Sequence, residues 1–421
     1  MTVTSTAPPV TPTLPRLLAG VPLGDLAAHH RQWGPLPFAG RELIGELERA
    51  GLRGRGGAGF PAAVKMAAVA ARRHPIVVVN ATEGEPASGK DRTLAVAAPH
   101  LVLDGAVAAA WAVGATEVIV AVDRTTPVAV ASLARAAEDR AAMRRDRVGI
   151  EVVATPDRYV AGQASALVNW CNGRDAKPSV SPPRQAQRGV DGRPTLVQNA
   201  ETLANVALIA RFGAGWYRQV GTESDPGTAL LSVSGAVGRP GVYEVPFGTP
   251  LRHVLDAAGG TPAGIAAALL GGYYGSWLAP EDLDVALESG PLSRLGASVG
   301  AGVLAVLPAG ACGLAESARV VRWLAGQSAG QCGPCAHGLP AIAGALEAVA
   351  AAERSGRAAA AVHRWTAMVE GRGACHLPDG TARLARSAVA VFAGDVERHR
   401  MYGPCPPHPP VLPTPATGGW R

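Results

Sequence analysis

Between about residues 35 and 215, short apolar runs alternate with segments whose apolar residues recur at helical spacing. The apolar runs predict buried strands at Ile76–Val79, Glu117–Val122 and Gly149–Ala154. The segments around them predict helices at Arg41–Ala50, Pro61–Ala71, Leu101–Val113 and Pro127–Arg140. Strands that alternate with helices form a mainly parallel sheet, so we predict an α/β fold for this part of the chain.

The pattern changes after residue 228. Ala229–Val237 and Val242–Val245 flank the turn Gly238–Gly241, and this arrangement predicts a β-hairpin. A helix is predicted next, with Thr249 as its N-cap residue and Pro250 at its first helical position. We therefore expect a small β-rich unit with one helix.

Alanine-rich segments dominate the rest of the chain and predict a helical bundle over 314–327, 337–353, 357–369 and 380–399. The proline-rich residues 404–421 predict an irregular tail, and the Thr- and Pro-rich first residues predict partial disorder. Together these changes predict five segments, with limits at 1–34, 35–217, 218–307, 308–402 and 403–421.

Composition narrows the class of protein. The chain has 421 residues, 48% of them apolar, and a net charge of +6, but no basic run with interleaved aromatics, so we expect no nucleic-acid partner. No apolar stretch reaches the roughly 20 residues of a membrane span, and no signal peptide is evident, so we expect a cytoplasmic protein. Its six cysteines indicate metal or redox chemistry rather than disulfides.

A glycine-rich loop between Gly51 and Pro61 is the first candidate for ligand binding. It has five glycines in nine residues, and Pro61 is predicted at the first position of a helix. Glycines admit close approach of a ligand, and a helix N-terminus favours an anion. Gly54, Gly56 and Gly59 satisfy G-x-G-x-x-G, a weak pattern that a simple helix connection also explains.

Two polar segments complete the candidate site. Asn80–Arg92 follows the first predicted strand, at the sheet edge where α/β proteins bind ligands. Asn80 can hydrogen-bond a flavin, and Lys65 can neutralise a phosphate or stabilise a reduced ring. The alternative is a solvated charged loop made by the charged residues of this segment, Glu83, Glu85, Lys90 and Asp91. Gln198–Leu203 predicts a polar helix start.

The segments GLRGRGGAGFP, NATEGEPASGKDR and VQNAETLANV resemble the flavin-binding motifs of the 51 kDa flavoprotein family of respiratory complex I, which also contains diaphorase subunits of hydrogenases and formate dehydrogenases. SVSGAVGRPGVYEVPFGTPL is similar to the β-grasp-like SLBB domain of that family. The motifs occur in family order from about residue 50 to 400. The resemblance implies a Rossmann-like FMN-binding domain, an SLBB domain and a C-terminal helical bundle with an iron–sulfur site.

The resemblance also implies which residues bind FMN. They are Gly54, Arg55, Gly56, Gly57, Gly59, Lys65, Asn80, Thr82, Glu83, Tyr159, Gly162, Gln198, Asn199 and Thr202. Thr82 stands where the family has Asp, and Gln198 where it often has Asn. Both replacements can still form hydrogen bonds.

The nicotinamide site implied by the family is depleted. Phe60 and Glu85 match it, but Gln163 and Ala164 replace two acidic residues. Aromatic residues of the family are absent at Ala68, Gly89 and in Ser181–Arg184, where a lysine is also lost. Lost aromatic stacking and lost carboxylate acceptors weaken NADH binding, and Arg184 could instead favour a phosphorylated nucleotide or an acidic carrier protein.

Cys332, Cys335 and Cys375 match three of the four cluster cysteines of the family, and Ala329 occupies the fourth position. Thiolates are the usual ligands of iron–sulfur clusters, with zinc as the competitor for such spacings. Three cysteines suit a [3Fe–4S] cluster, or a [4Fe–4S] cluster completed by water, Ser328, His337 or His376. The other three cysteines, Cys171, Cys312 and Cys405, are interpreted as structural or incidental.

These features predict an oxidoreductase subunit that exchanges electrons between FMN and an iron–sulfur cluster, with a ferredoxin-like protein or a membrane reductase as its redox partner. We expect it to work in a complex, peripheral to the membrane through a partner. The first alternative is an FMN-dependent NAD(P)H:acceptor oxidoreductase with an altered nucleotide pocket. The second is a scaffold subunit without cofactors.

Overall fold

The structure is a computed structural model that describes residues 14, 16–19, 24–143, 146–180 and 183–421. Much of the N-terminal segment 1–34 lies outside the described residues. So do Ser181 and Pro182, which the sequence places at the depleted nicotinamide site. Three units follow one another along the described chain. We call them the α/β unit, the β-grasp-like unit and the helical unit.

The α/β unit contains a four-stranded parallel sheet in the order β3-β2-β1-β4. Its strands are β1 (Ile76–Ala81), β2 (Glu117–Asp123), β3 (Gly149–Thr155) and β4 (Thr195–Asn199). The predicted parallel α/β arrangement is confirmed, but β4 replaces part of the helix start expected at Gln198. Asn80 pairs in register with Asn199, so both residues lie at the same carboxyl edge of the sheet.

Within the described residues, the α/β unit has eight α-helices. They are α1 (Leu26–Trp33), α2 (Glu42–Ala50), α3 (Ala62–Ala70), α4 (Lys90–Ala97), α5 (Pro99–Val113), α6 (Pro127–Met143), α7 (Ala164–Cys171) and α8 (Ala200–Tyr217). Helix α5 is buried along nearly all of its length, and a Cβ at Gly105 would lie 1.7 Å from the carbonyl oxygen of Leu203 in α8. This glycine lets the two helices pack with their backbones in contact.

The β-grasp-like unit has five strands in the order β6-β5-β9-β7-β8. They are β5 (Thr228–Gly235), β6 (Gly241–Pro246), β7 (Ile265–Leu270), β8 (Ser276–Leu278) and β9 (Val303–Pro308), with helices α9 (Leu251–Ala257) and α10 (Ser289–Arg294). Strands β5 and β6 form the predicted antiparallel hairpin. The predicted cap is wrong by one residue, because α9 begins at Leu251 and Pro250 is its N-cap.

The helical unit contains α11 (Gly313–Gly326), α12 (Leu339–Ala350), α13 (Arg357–Val369), α14 (Leu377–Val391) and α15 (Ala393–Tyr402). A π-helical turn, Pro334–Gly338, precedes α12. The prediction of a single helix over 380–399 is wrong, because the helix is interrupted at Phe392, which separates α14 from α15. The Phe392 ring occupies the position that a Cβ at Gly313 would take, so it packs on the first residue of α11.

The tail after Tyr402 contains neither helix nor strand, as predicted, yet it packs closely on the protein. Leu412 is buried, and Glu316 of α11 accepts hydrogen bonds from the backbone N–H groups of Val411 and Leu412 at 3.2 and 3.1 Å. Further along, the carbonyl of Trp420 accepts a hydrogen bond from the N–H of Ala176 in the α/β unit. The tail therefore joins the helical unit to the α/β unit.

Among the residues that the structure describes, no single helix has the length and apolar character needed to cross a membrane. Helices α4 and α5, bent by 96° relative to each other, reach that length and composition only when taken as a pair.

Candidate cofactor site

A cavity of about 570 Å³ opens at the carboxyl edge of the parallel sheet, and all three units contribute to its wall. The predicted cofactor residues in the wall are Arg55, Gly56, Gly57, Asn80, Thr82, Glu83, Tyr159, Gly162 and Asn199. Glu85, predicted at the nicotinamide site, and Cys375, predicted as a cluster ligand, also line it. This volume lies within the range of natural ligand sites.

The glycine-rich loop is closed on itself at its base. The N–H of Gly54 donates to the carbonyl of Phe60 at 2.9 Å, and the N–H of Ala62 donates to the carbonyl of Leu52 at 2.9 Å. Helix α3 begins at Ala62, so Pro61 is its N-cap and not its first helical residue as predicted. Gly57 has φ of 105°, a conformation that favours glycine.

Arg55 attaches the glycine-rich loop to the neighbouring elements. Its backbone N–H donates to Thr202 Oγ1 at 2.8 Å, and its guanidinium donates to the hydroxyl of Tyr217 at 3.0 Å. The same guanidinium stacks 4.5 Å from the ring centre of Phe247 in the β-grasp-like unit. The loop is therefore held in place before any ligand binds.

Asn80, Thr82 and Gly162 form one hydrogen-bonded group at the end of β1. Asn80 Nδ2 donates to the carbonyl of Gly162 at 2.8 Å, and Asn80 Oδ1 accepts from the Thr82 hydroxyl at 2.6 Å. A Cβ at Gly162 would lie 2.3 Å from Thr82 Oγ1. Thr82, the departure from the family aspartate, is thus accommodated by bonding to its neighbour Asn80.

A buried charge network forms the floor of the site. Lys90 Nζ lies 3.0 Å from Asp91 Oδ1 and 2.9 Å from Glu201 Oε2, and Asp91 also accepts from Asn199 Nδ2 at 2.8 Å. Burial alone lowers the pKa of Lys90, but Asp91 and Glu201 raise that pKa above its ordinary value. The alternative of a solvated charged loop is wrong, because Lys90 is only 3% exposed.

Glu83 caps the helix that carries this network. Its carboxylate accepts from the Ser88 hydroxyl at 2.6 Å and from the backbone N–H of Asp91 at 3.0 Å, at the start of α4. Its pKa is raised, first by burial and then by the charge of Asp91. Glu83 therefore serves the helix start as well as the cavity wall.

Five predicted cofactor residues do not line the cavity: Gly54, Gly59, Lys65, Gln198 and Thr202. Lys65 donates to the carbonyl of Val197 at 2.6 Å, and burial lowers its pKa. Gln198 is buried with its amide nitrogen unpartnered. The lysine at the cavity wall is Lys90, which the family resemblance did not select.

Glu85, also in the cavity wall, is held between two tyrosine residues. Its carboxylate accepts from the Tyr273 N–H at 2.7 Å, the Tyr159 hydroxyl at 3.0 Å and the Ala87 N–H at 3.2 Å. Burial raises its pKa to about 7 in spite of these hydrogen bonds. A protonatable carboxyl group with a near-neutral pKa thus lies at the cavity surface.

The raised pKa of Glu85 predicts a contribution to the free energy of unfolding that depends on pH, and the Glu85→Gln variant should lack this contribution. Between the ordinary pKa of 4.5 and the raised pKa of about 7, the folded chain binds more protons than the unfolded chain, so stability falls as pH rises. Relative to the variant, the native chain is expected to lose about 3 kcal/mol across this window. Urea unfolding of the cofactor-free proteins between about pH 4.5 and pH 8 measures it, and parallel curves would contradict the assignment.

The predicted nucleotide residues are scattered. Phe60 is 53% exposed and Arg184 is exposed, and neither lines the cavity. Gln163 lines the cavity, but its side-chain oxygen accepts from the N–H groups of Ser165 and Ala166 at 2.9 and 3.3 Å and so caps α7. The amide oxygen is thereby engaged with the protein backbone.

Cys335 lies in the π-helical turn, Cys332 comes two residues before that turn, and Cys375 precedes α14. The pKa of Cys335 is raised to about 12, mainly by burial; the Ser328 hydroxyl opposes this rise, and Cys332 and Cys375 add to it. Of the proposed fourth ligands, Ser328 is therefore next to Cys335, while the side chain of His376 is 78% exposed. The three thiols share one end of the helical unit.

Several wall residues have no signal in the sequence. Tyr274 and Ser298 come from the β-grasp-like unit, and Asp379, Gly380 and Arg383 come from α14. A Cβ at Gly380 would lie 2.1 Å from the Tyr274 ring, so this glycine lets the helical unit approach the cavity. These wall residues come together only because the three units pack against one another.

The glycine-rich loop, the polar edge of the parallel sheet and Cys375 all line one cavity, an arrangement that suits a flavin and iron–sulfur electron-transfer protein. The sequence matches three family descriptions in order: "Nuo51 FMN-binding domain" over 47–208, "SLBB domain" over 230–272 and "NADH-ubiquinone oxidoreductase-F iron-sulfur binding region" over 315–399. The chain belongs to the family of NADH-quinone oxidoreductase subunits that these descriptions define. The resemblance, the fold class and the two cofactor types are confirmed.

Individual relatives support this assignment. The chain is 33% identical over 382 residues to an NADH-quinone oxidoreductase subunit of Mycobacterium bovis, covering 87% of this chain and 86% of that one. It is 30% identical to the NADP-reducing hydrogenase subunit HndC of Solidesulfovibrio fructosivorans, covering 87% and 78%. A chain in the crystal structure of an H2-reduced NAD+-reducing [NiFe]-hydrogenase matches with a TM-score of 0.77 and 31% identity, over 85% of this chain and 62% of that one.

Proposed function

We propose that this chain transfers electrons between FMN in the cavity and an iron–sulfur cluster on Cys332, Cys335 and Cys375. The observation that carries the proposal is that Cys375 lines the same cavity as the glycine-rich loop and Asn80. FMN exchanges electrons in pairs or singly, whereas an iron–sulfur cluster carries them one at a time. A wall shared by both sites gives a short path between them.

The donor set suits both cofactors. Gly56 and Gly57 present backbone without side chains to the cavity, which allows close approach of a planar or phosphorylated ligand. Asn80, fixed by Gly162 and Thr82, offers a rigid polar contact rather than a mobile one. The three thiols offer sulfur ligands, and the carboxyl group of Glu85 can hold or release a proton near neutral pH.

For the redox partner, we favour a one-electron carrier protein such as a ferredoxin or a membrane reductase. Phe60 lies outside the cavity wall, and the amide oxygen of Gln163 is occupied in capping α7. Both observations argue against a nicotinamide-binding site in this cavity. Relatives are named as subunits of a quinone oxidoreductase and of a hydrogenase, which supports work within a multi-subunit assembly.

The second candidate is an NAD(P)H:acceptor oxidoreductase. It is favoured by Glu85 in the cavity wall and by the names of the relatives, which include NADH-quinone and NADP-reducing enzymes. Adding NADH, NADPH or reduced ferredoxin to the reconstituted protein without oxygen separates the two. Bleaching of the flavin by a nicotinamide within seconds supports the second candidate, and bleaching by ferredoxin alone supports the first.

Reconstitution with FMN, iron and sulfide tests the cofactor proposal. The native chain is compared with the Gly162→Ala variant, in which the flavin site is disrupted. Its added methyl group collides with Thr82 Oγ1 and displaces Asn80, so FMN affinity is expected to fall at least about tenfold. The double variant Gly162→Ala/Thr82→Ala removes the colliding hydroxyl and is expected to recover most of that loss. Flavin fluorescence titration measures both. A native chain that stays colourless supports the scaffold alternative.

A further inference from the structure

Cys312, His399 and Cys405 form a second group of ligating side chains that the electron-transfer proposal does not use. Their ligand atoms all lie within 4.8 Å of one another. His399 Nε2 is 3.6 Å from Cys312 Sγ and 3.1 Å from Cys405 Sγ. Cys312 is 2% and His399 is 1% exposed, so two of the three side chains are almost completely buried.

These separations approach those of a zinc site. With bonds of about 2.3 Å to sulfur and about 2.0 Å to nitrogen, tetrahedral zinc places a sulfur and a nitrogen ligand about 3.6 Å apart. The Cys312–His399 distance matches this value, and Cys405 needs a shift of about 0.5 Å. Two thiolates and a neutral imidazole cancel the charge of Zn²⁺, so the loaded site is neutral and suits a buried position.

Both sulfur atoms accept hydrogen bonds from neighbouring groups. Cys312 is the N-cap of α11, and its sulfur accepts from the backbone N–H of Ala315 at 3.4 Å. Cys405 Sγ accepts from Arg398 Nη2 at 3.0 Å. Burial nevertheless raises the pKa of Cys312 to about 11, so zinc binding has to displace that thiol proton.

This group lies away from the cluster cysteines. Cys312 immediately precedes α11, whereas Cys332 follows the end of that helix at Gly326. A helix of 14 residues is about 21 Å long, so the two groups lie at opposite ends of α11. One cluster cannot use both sets of ligands.

We propose that Cys312, His399 and Cys405 bind one zinc ion, with a water molecule in the fourth position, and that this ion anchors the tail to the helical unit. On binding, each thiol releases its proton to solvent and no electron is transferred. Cys405 belongs to the tail, and Cys312 and His399 belong to the helical unit. The ion would therefore fix the start of the tail, while Glu316 holds Val411 and Leu412 further on.

Elemental analysis of the full chain, purified without oxygen or chelator, tests the proposal. We expect about one zinc per chain. Occupancy should fall at least about tenfold in Cys312→Ser and in Cys405→Ser, and should not change in Cys171→Ser, a control in α7. Cys332→Ser should lower iron and leave zinc unchanged, which separates this site from the proposed cluster.

Cobalt substitution, combined with circular dichroism, distinguishes a loss of metal binding from a loss of folding in the variants. Co²⁺ bound to the native chain is expected to show thiolate charge-transfer absorption, and Cys405→Ser, whose cysteine is only partly buried, should lose most of it while keeping its helical circular dichroism. The proposal is overturned if the native chain binds neither zinc nor cobalt. It is also overturned if zinc persists in both cysteine variants, or if mass spectrometry finds a Cys312–Cys405 disulfide in the anaerobic protein.

Discussion

Replacement of Lys90 by methionine is expected to destabilise the folded chain by about 3–5 kcal/mol. Methionine fills a similar space but leaves the buried Asp91 carboxylate without its cation, and it leaves Glu201 only the more distant Arg55, whose Nε lies 3.9 Å away. Breaking a buried pair from one side costs far more than removing both partners, because an uncompensated charge remains. Glu201 also accepts from the N–H of Leu230 in β5, so the loss should loosen the contact between the first two units.

Chemical denaturation of the cofactor-free proteins measures this effect. The matched control is Lys177→Met, since Lys177 is paired with Asp175 but has a side chain 30% exposed, and its loss should cost less than about 1 kcal/mol. The double variant Lys90→Met/Glu201→Gln should recover part of the loss. Equal unfolding midpoints for the two single lysine variants would show that the buried network is not held by Lys90.

The Ala329→Cys variant is expected to complete the cluster site. Ala329 holds the position of the missing family cysteine, next to Ser328, whose hydroxyl influences the pKa of Cys335. A fourth thiolate should hold the fourth iron, which a [3Fe–4S] cluster on three thiolates lacks, and raise the iron content by about one atom per chain. The oxidised protein should lose the EPR signal of a [3Fe–4S] cluster, and a new signal should appear on reduction.

Ala336→Cys is the control for that substitution, because Ala336 is exposed and adjoins Cys335 without occupying the family position. It should leave both the iron content and the EPR spectrum unchanged. If Ala329→Cys behaves like this control, a protein ligand such as Ser328 already completes the cluster. Ser328→Ala would then be the variant that loses iron.

The sequence identified the parts of the fold whose signal is local. Strands β1, β2 and β3 contain apolar runs, and the β5–β6 hairpin has its turn residues in place. Strand β4 was missed because it is five residues long and ends in Gln198 and Asn199. Those polar residues resemble a helix start, and Asn199 does cap α8 as well as ending the strand.

The candidate site was predicted less completely, for a physical reason. Lys65 and Lys90 have the same side chain, and only distant partners decide which one faces the cavity. Glu201 is 111 positions from Lys90 in the chain, so no local pattern records their pairing. Contributions from Tyr274 and Arg383 depend likewise on how the units pack. The cysteines were easier to find because their spacing is itself the signal.

The packing of the tail has a consequence for how the protein matures. The cavity wall begins with Arg55 and ends with Arg383, and the carbonyl of Trp420 binds back to the α/β unit. During synthesis, therefore, the glycine-rich loop leaves the ribosome long before its opposite wall exists. We therefore expect the cofactors to be loaded after synthesis, because a chain cut short before Arg383 lacks part of the cavity wall.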